Sequence, residues 1–206
     1  MKKIINIFAG IVFFVLMQSF TCEEPCQIHE PMIYKYIAIT TDNLDNNKEY
    51  QIVSETNIIY SKAYGIRLTL YTDIHDSVLG YKKDYCYDFS ADDSIRVIKI
   101  FTLNDFDSEH PKDSEISEFF RFLDYSEVPE FASNVNRRSV RTYLPIKDYS
   151  EIIKQESKTF IRKKIEDDFL LFKSPQNLQN HQFRIDIEFY KGRILSGTTP
   201  IVNFIE

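Results

Sequence analysis

The sequence contains no tryptophan and only five glycines among its 206 residues. So few glycines argue against a glycine-rich loop that cradles phosphate groups. Only three cysteines are present, and neither a CxxC pair nor a Cys/His spacing typical of a zinc site occurs. We therefore expect no metal ion and no other cofactor.

Basic residues are too few for a nucleic-acid-binding protein. Lys and Arg number 25 against 31 Asp and Glu, which gives a formal charge of -6. Phosphate contacts need a basic footprint, so we expect no nucleic-acid partner. The composition is otherwise ordinary, with 43% hydrophobic and 27% charged residues. This is typical of one globular domain rather than of a disordered chain or a coiled coil.

The first residues have the features of an export signal. Lys2 and Lys3 precede an apolar run at 7–17, which is shorter than the roughly 20 residues that span a bilayer. Its length suits the apolar region of a signal peptide. Cys22 follows, with Glu23 and Glu24 behind it, and this arrangement resembles a bacterial lipobox. Ser19 and Thr21 stand where a lipobox usually has Leu and a small residue.

We predict that residues 1–21 are a signal peptide and that Cys22 carries the lipid, palmitate included. Two alternatives are cleavage after Thr21 without lipid, and retention of the segment as an anchor. Removal of residues 1–21 takes away two lysines and no acid, so the mature formal charge becomes -8. Residues 22–31 are a tether, and the domain spans 32–206.

The other two cysteines, Cys26 and Cys86, leave two alternatives open. An oxidising compartment favours a disulfide, and a loop of about 60 residues would be worth ~4 kcal/mol in the chain-entropy model. The alternative, which we favour, is two free thiols, because Cys26 lies in the tether and Cys86 in a strand-like run.

Alternating apolar and polar residues predict a mainly-β protein. The clearest pattern is 182–190, where Phe183, Ile185, Ile187 and Phe189 alternate with polar residues. Lys191-Gly192 then predicts a hairpin turn and a return at 193–195. Other predicted strands are 32–40, 50–54, 57–61, 66–71, 85–89, 95–102, 139–144, 168–173 and 198–205, with loops at 41–49 and 125–138. We expect an Ig-like β-sandwich of about 7–9 strands with one or two short helical insertions.

Two segments predict helices. Ile116, Phe119, Phe120 and Leu123 form an i, i+3, i+4, i+7 stripe, which predicts a helix over 114–123 capped by Asp113 or Ser114. Apolar spacing at 149–165 also favours a helix, although a strand could begin at Thr159.

Three features together resemble a family of Bacteroidetes surface lipoproteins of unknown function. They are the lipoprotein-like start, the run DDSIRVIKIFTLNDFDSEHPKDSEISEFF, and the final RIDIEFYKGRILSGTTPIVNF. The resemblance covers most of 22–206. It implies a surface location and a sandwich fold, and it assigns no catalytic or binding residues.

Residues 104–115 gather five acids around His110: Asp105, Asp107, Glu109, Asp113 and Glu115. Such carboxylates could bind calcium, but no Gly stands where an EF-hand requires it. We favour a solvated loop. The histidines His29, His75 and His181 are scattered, and no G-x-S-x-G nucleophile motif occurs.

Two further groups could bind a ligand. Arg137, Arg138 and Arg141 could hold an acidic glycan or a phosphate, although a solvated charge run is the ordinary interpretation. Exposed tyrosines could stack on sugars, or could simply fill strands. We consider four for this role: Tyr34, Tyr36, Tyr71 and Tyr190.

We predict a membrane-anchored, non-enzymatic binding or accessory module of the cell envelope, on the outer membrane and facing the cell surface. Its partners would be the membrane, through the lipid, and a glycan or an envelope protein. The alternative is a structural subunit of a surface assembly, bound along a sheet edge. An enzyme ranks third, because no acid, base and nucleophile stand out.

Overall fold

The structure, a computed structural model, describes residues 32–47, 51–74, 89–126, 140–156 and 163–206. The predicted signal peptide and tether, with Cys22, Cys26 and Cys86, lie outside these ranges. So do His29, His75, Arg137 and Arg138. The lipid attachment and the disulfide alternatives therefore stay predictions.

The described residues form strands and one short α-helix. The strands are β1 (Met32–Tyr34), β2 (Tyr36–Asp45), β3 (Ile52–Val53), β4 (Ile58–Tyr60), β5 (Tyr64–Thr72), β6 (Phe89–Ala91), β7 (Ile95–Thr102), β8 (Phe120–Ser126), β9 (Val140–Pro145), β10 (Lys164–Leu171), β11 (Phe183–Phe189), β12 (Ile194–Thr198) and β13 (Asn203–Ile205). Helix α1 spans Tyr149–Glu156, and single 3-10 turns lie at Ser61–Ala63, Ser117–Phe119 and Ile146–Asp148. No helix in these ranges is long and apolar enough to cross a membrane.

Two sheets dominate the architecture. The larger has six strands in the order β3-β2-β5-β10-β8-β9, and the smaller has three in the order β12-β11-β7. The ladders within both are antiparallel. Two parallel pairs, β1 with β6 and β13 with β4, complete the described strands.

The core lies between the two main sheets. Tyr64 of β5 packs on Phe183 of β11 with ring centroids 5.4 Å apart, and Tyr36 of β2 packs on Phe189 at 5.8 Å. Both sheets therefore turn an apolar face towards the same cluster of buried side chains. The predicted mainly-β class is confirmed.

The C-terminal hairpin matches its prediction. Phe183, Ile185, Ile187 and Phe189 are at most 1% exposed, and β11 pairs with β12 as expected. Gly192 adopts a φ of 86° in the turn, a left-handed conformation that glycine tolerates best.

The helix predicted over 114–123 is wrong. The backbone of Ser114 and Ile116 bonds to Thr102 and Ile100, so this segment covers the free edge of β7. Asp113 has a φ of 67°, a tight turn rather than a helix cap. From Phe120 onward the chain is strand β8, because it pairs with β9 and β10. Tertiary pairing overrides the helical spacing here.

Several predicted boundaries also need correction. The strand predicted at 168–173 is β10, which begins four residues earlier and ends at Leu171. Strand β2 runs through the predicted 41–49 loop to Asp45, because this stretch pairs with β5 and buries Leu44 completely. The predicted helix at 149–165 is right for Tyr149–Glu156 but wrong for Ile165, which lies in β10. The predicted last strand, 198–205, is shorter, since Thr198 ends β12 and Asn203 begins β13.

Candidate binding surface

The acidic loop uses its carboxylates to hold itself together. Asp107 accepts hydrogen bonds from the backbone N–H groups of Glu109 and His110, at 2.9 and 2.8 Å, and lies 2.6 Å from the His110 ring nitrogen Nδ1. Lys173 Nζ lies 2.8 Å from its other oxygen. The Lys173 ammonium group, with the hydrogen bonds from His110 and Glu109, holds the pKa of Asp107 well below its usual range. Within the described ranges, no group of three or more His, Cys, Asp or Glu residues could hold a metal ion.

The charged faces of both sheets are also paired across strands. Arg67 donates two hydrogen bonds to Asp168, at 2.8 and 2.9 Å. On the smaller sheet, Glu188 accepts from Lys99 at 2.6 Å and also from Arg96. The hydrogen bonds from Lys99 and then Arg96 lower the pKa of Glu188. These pairs join neighbouring strands, which is a structural role.

The tyrosines proposed for sugar stacking do not share one environment. Tyr34 and Tyr36 are only 1% and 2% exposed, with their hydroxyl oxygens 3.3 Å apart. The prediction that these two are exposed is wrong, because the alternation along β1 and β2 turns them into the core. Tyr71 is half-buried and Tyr190 is 63% exposed.

A different pair of rings is exposed on the outer face of the larger sheet. Phe172 is 61% exposed and Tyr143 is 41% exposed, and they meet edge to face with centroids 5.5 Å apart. The guanidinium carbon of Arg121 lies 6.0 Å from the centre of the Phe172 ring. We call Arg121, Tyr143 and Phe172 the aromatic patch.

Three adjacent strand ends position the aromatic patch. Tyr143 of β9 stands opposite Leu123 of β8, and Arg121 of β8 stands opposite Leu170 of β10. Leu123 and Leu170 are only 3% and 4% exposed, so they form an apolar floor. Phe172 follows Leu170 by two residues and thus points to the same side.

The arginine of the patch is held in place. Its Nη1 donates to the carbonyl oxygens of Glu118 at 2.6 Å and Phe120 at 2.9 Å. A guanidinium has five N–H donors in a planar fork, and these two contacts involve Nη1 alone. The patch therefore combines two apolar rings with an oriented cation.

Sequence reasoning missed this patch. Tyr143 and Phe172 both fall in predicted strands, but nothing in the sequence pairs them. Arg121 was placed in a helix that the structure replaces with β8. The one available signal was the continuation of alternation past β10, which puts Leu170 and Phe172 on one face.

His181 is a further residue, to which sequence reasoning assigned no role. It is fully buried, and its Nε2–H donates to the carbonyl of Asn177. Nδ1 has no hydrogen-bond partner in the described structure. The ring packs against Phe183, Phe204 and Phe106, with centroids 6.2, 5.3 and 6.3 Å away. Burial lowers the pKa of His181, against the opposing effect of the Asn177 hydrogen bond. The neutral imidazole is therefore part of the core.

These features define a class: a mainly-β domain with facing sheets and an exposed aromatic patch on its larger sheet. The chain matches the model of a domain of unknown function (DUF5034) over residues 36–200, and it belongs to that family. No curated protein matches the chain significantly, and neither does any solved structure.

Proposed function

We propose that the protein is a lipid-anchored, non-enzymatic binding module of the cell envelope that takes a glycan on the aromatic patch. The observation that carries this proposal is the exposed edge-to-face pair of Tyr143 and Phe172 beside Arg121. Large apolar side chains grouped on a surface mark an interaction site more strongly than scattered ones.

The chemistry of the patch suits a sugar. Aromatic faces attract the apolar C–H faces of sugar rings, and edge-to-face rings present surfaces in two directions. The remaining donors of Arg121 suit a carboxylate, which an arginine can bind through two parallel hydrogen bonds. An acidic glycan therefore fits this patch better than a neutral one.

The location rests on the first residues of the sequence. The basic start, the apolar run at 7–17 and Cys22 support export and lipid attachment, and Glu23-Glu24 supports surface exposure on a Bacteroidetes-type outer membrane. Cys22→Ser should abolish palmitate labelling in growing cells and release the protein from membranes. Equal labelling of the variant and the native chain would contradict the anchor.

Glycan binding is tested on a glycan array with the full chain, followed by titration of the best acidic ligand. Replacing both Tyr143 and Phe172 with Ala should weaken binding at least tenfold, since each lost stacking contact is worth about 1 kcal/mol. Tyr60→Ala is the matched control, because Tyr60 is 45% exposed on β4, outside the patch. Equal affinities of the double variant and the control would refute the proposal.

A structural subunit is the second candidate, and the position of β9 favours it. Among the described strands β9 pairs only with β8, at the end of the six-stranded sheet. Such an edge can accept an extended segment of another protein. Stable co-purification with one envelope protein, unaffected by the Tyr143 and Phe172 double variant, would favour this candidate over glycan binding.

A further inference from the structure

The first described residues present apolar side chains to solvent. Tyr34 and Tyr36 point into the core, and the residues that alternate with them point outward. Ile33 is 69% exposed and Ile37 is 54% exposed. Lys35 lies between them with 60% of its side chain exposed. Residues 33–37 thus carry Ile, Lys and Ile on one outward face.

The turn between β11 and β12 lies beside this face. The Asp92 carboxylate is 2.7 Å from Lys191 Nζ and 3.9 Å from Lys35 Nζ, so the two ammonium groups are neighbours. Arg193 donates to the backbone carbonyl of Tyr36, which fixes the hairpin against the start of β2.

The hairpin adds exposed apolar groups of its own. Tyr190 is 63% exposed and Ile194 is 55% exposed. We call the combined surface the docking end, and it consists of Ile33, Lys35, Ile37, Tyr190, Lys191 and Ile194.

We propose that the docking end seats the domain on the phospholipid surface that holds the acyl chains of Cys22. This inference rests on the lipid anchor of the proposed function. Isoleucines can enter the boundary between headgroups and acyl chains, tyrosine favours that depth, and lysines extend their ammonium groups back to the phosphates.

Chain length keeps this end close to the bilayer. The ten residues from Cys22 to Met32 reach at most ~35 Å when fully extended. Met32 begins β1, so the tether leaves the domain directly beside Ile33. In an anchored domain this end therefore cannot move more than ~35 Å from the lipid.

The charge of the docking end does not oppose this orientation. The mature chain has a formal charge of -8, and most of its surface would be repelled by anionic lipid. At the docking end, Lys35 and Lys191 face Asp92, whereas Asp73 and Asp93 are engaged by the backbone N–H groups of Lys35 and Lys191. When Arg193 is counted, three cationic side chains and three acidic side chains lie at this end. Apolar insertion rather than charge attraction is thus the driving force, and added salt should change it little.

Lysine acetylation by a succinimidyl ester tests the orientation on the full acylated chain, reconstituted in phosphatidylethanolamine/phosphatidylglycerol vesicles. Lys35 and Lys191 should react several-fold more slowly than in an Ile33→Asp, Ile194→Asp double variant bound to the same vesicles. The exposed lysines Lys112 and Lys147 are internal controls and should react at equal rates in both.

Ile58→Asp is the matched variant, because Ile58 is 54% exposed on β4. In this variant Lys35 and Lys191 should react with the ester as slowly as in the native chain. The same slow reaction is expected for the native chain in 0.5 M salt, where the Debye length is about 4 Å. A chain that floats with the vesicles but shows equal rates in native and double-variant forms would overturn the docking alone. If the mass of the chain shows no acyl groups and the chain fails to float with the vesicles, the anchor is refuted, and the docking with it.

Discussion

Replacing Ile187 with Ala tests the packing of the two main sheets most directly. Ile187 is completely buried in the central strand of the smaller sheet, where it stands opposite Ile98 on β7 and Leu195 on β12. Removing three carbons there leaves a cavity that its rigid neighbours cannot fill, and such changes cost about 2–5 kcal/mol. For a chain of this size, 3 kcal/mol corresponds to a fall of roughly 6–12 °C in the melting temperature.

Ile194→Ala is the matched control on the next strand. Ile194 stands opposite Glu188, the residue that follows Ile187. It is nevertheless 55% exposed. Its truncation should change stability by less than about 0.5 kcal/mol. Urea unfolding followed by tyrosine fluorescence gives both values, with the slope confirming that the same surface unfolds. If Ile194→Ala costs as much as Ile187→Ala, the assignment of the inner face is wrong.

Three further predictions concern the turn, a buried ring and a charged ladder. Gly192→Val should destabilise by about 1–3 kcal/mol through its positive φ alone, since a Cβ there meets no atom within 4 Å; Gly192→Asn in thermal melts should restore most of the loss. Because the pKa of His181 is lower in the folded state, the unfolded state binds the proton more readily. The stability that the neutral ring contributes to the fold is therefore complete above pH 6.5 and is lost as the pH falls below it. Urea midpoints on both sides of that pH should show this loss, and His181→Gln should reduce it. Glu188→Lys should lower the melting temperature more than Glu188→Gln, because it adds a third cation beside Lys99 and Arg96; the reverse order would show that the ladder is not stabilising.

The sequence predicts elements well where one face is uniformly apolar. In 183–189 every second residue is large and apolar, so a register slip would bury charges, and only one arrangement is stable. The prediction failed at β8 because Ile116, Phe119, Phe120 and Leu123 fit a helical stripe, while Phe120 and Phe122 fit alternation equally well. Pairing with β10 and β9 decides between the two, and that information is not local.

The same limit explains the candidate surfaces. Tyr143 and Phe172 become neighbours only because β8 lies between β9 and β10, and the helix assigned to that segment hid the connection. Near the start of the domain, Ile33 and Ile37 alternate with Tyr34 and Tyr36, and all four are large and apolar. The pattern alone could not say which pair faces inward.

The pairing of β13 with β4 has a consequence for the order in which the chain folds. It joins Asn203 to Ile58, positions roughly 145 residues apart, and contacts of such separation form late because a long loop must close first. Phe204 in β13 also closes the ring cage around His181. Folding therefore finishes only when residues 203–205 are available, and a chain truncated before Asn203 should remain an incompletely folded intermediate.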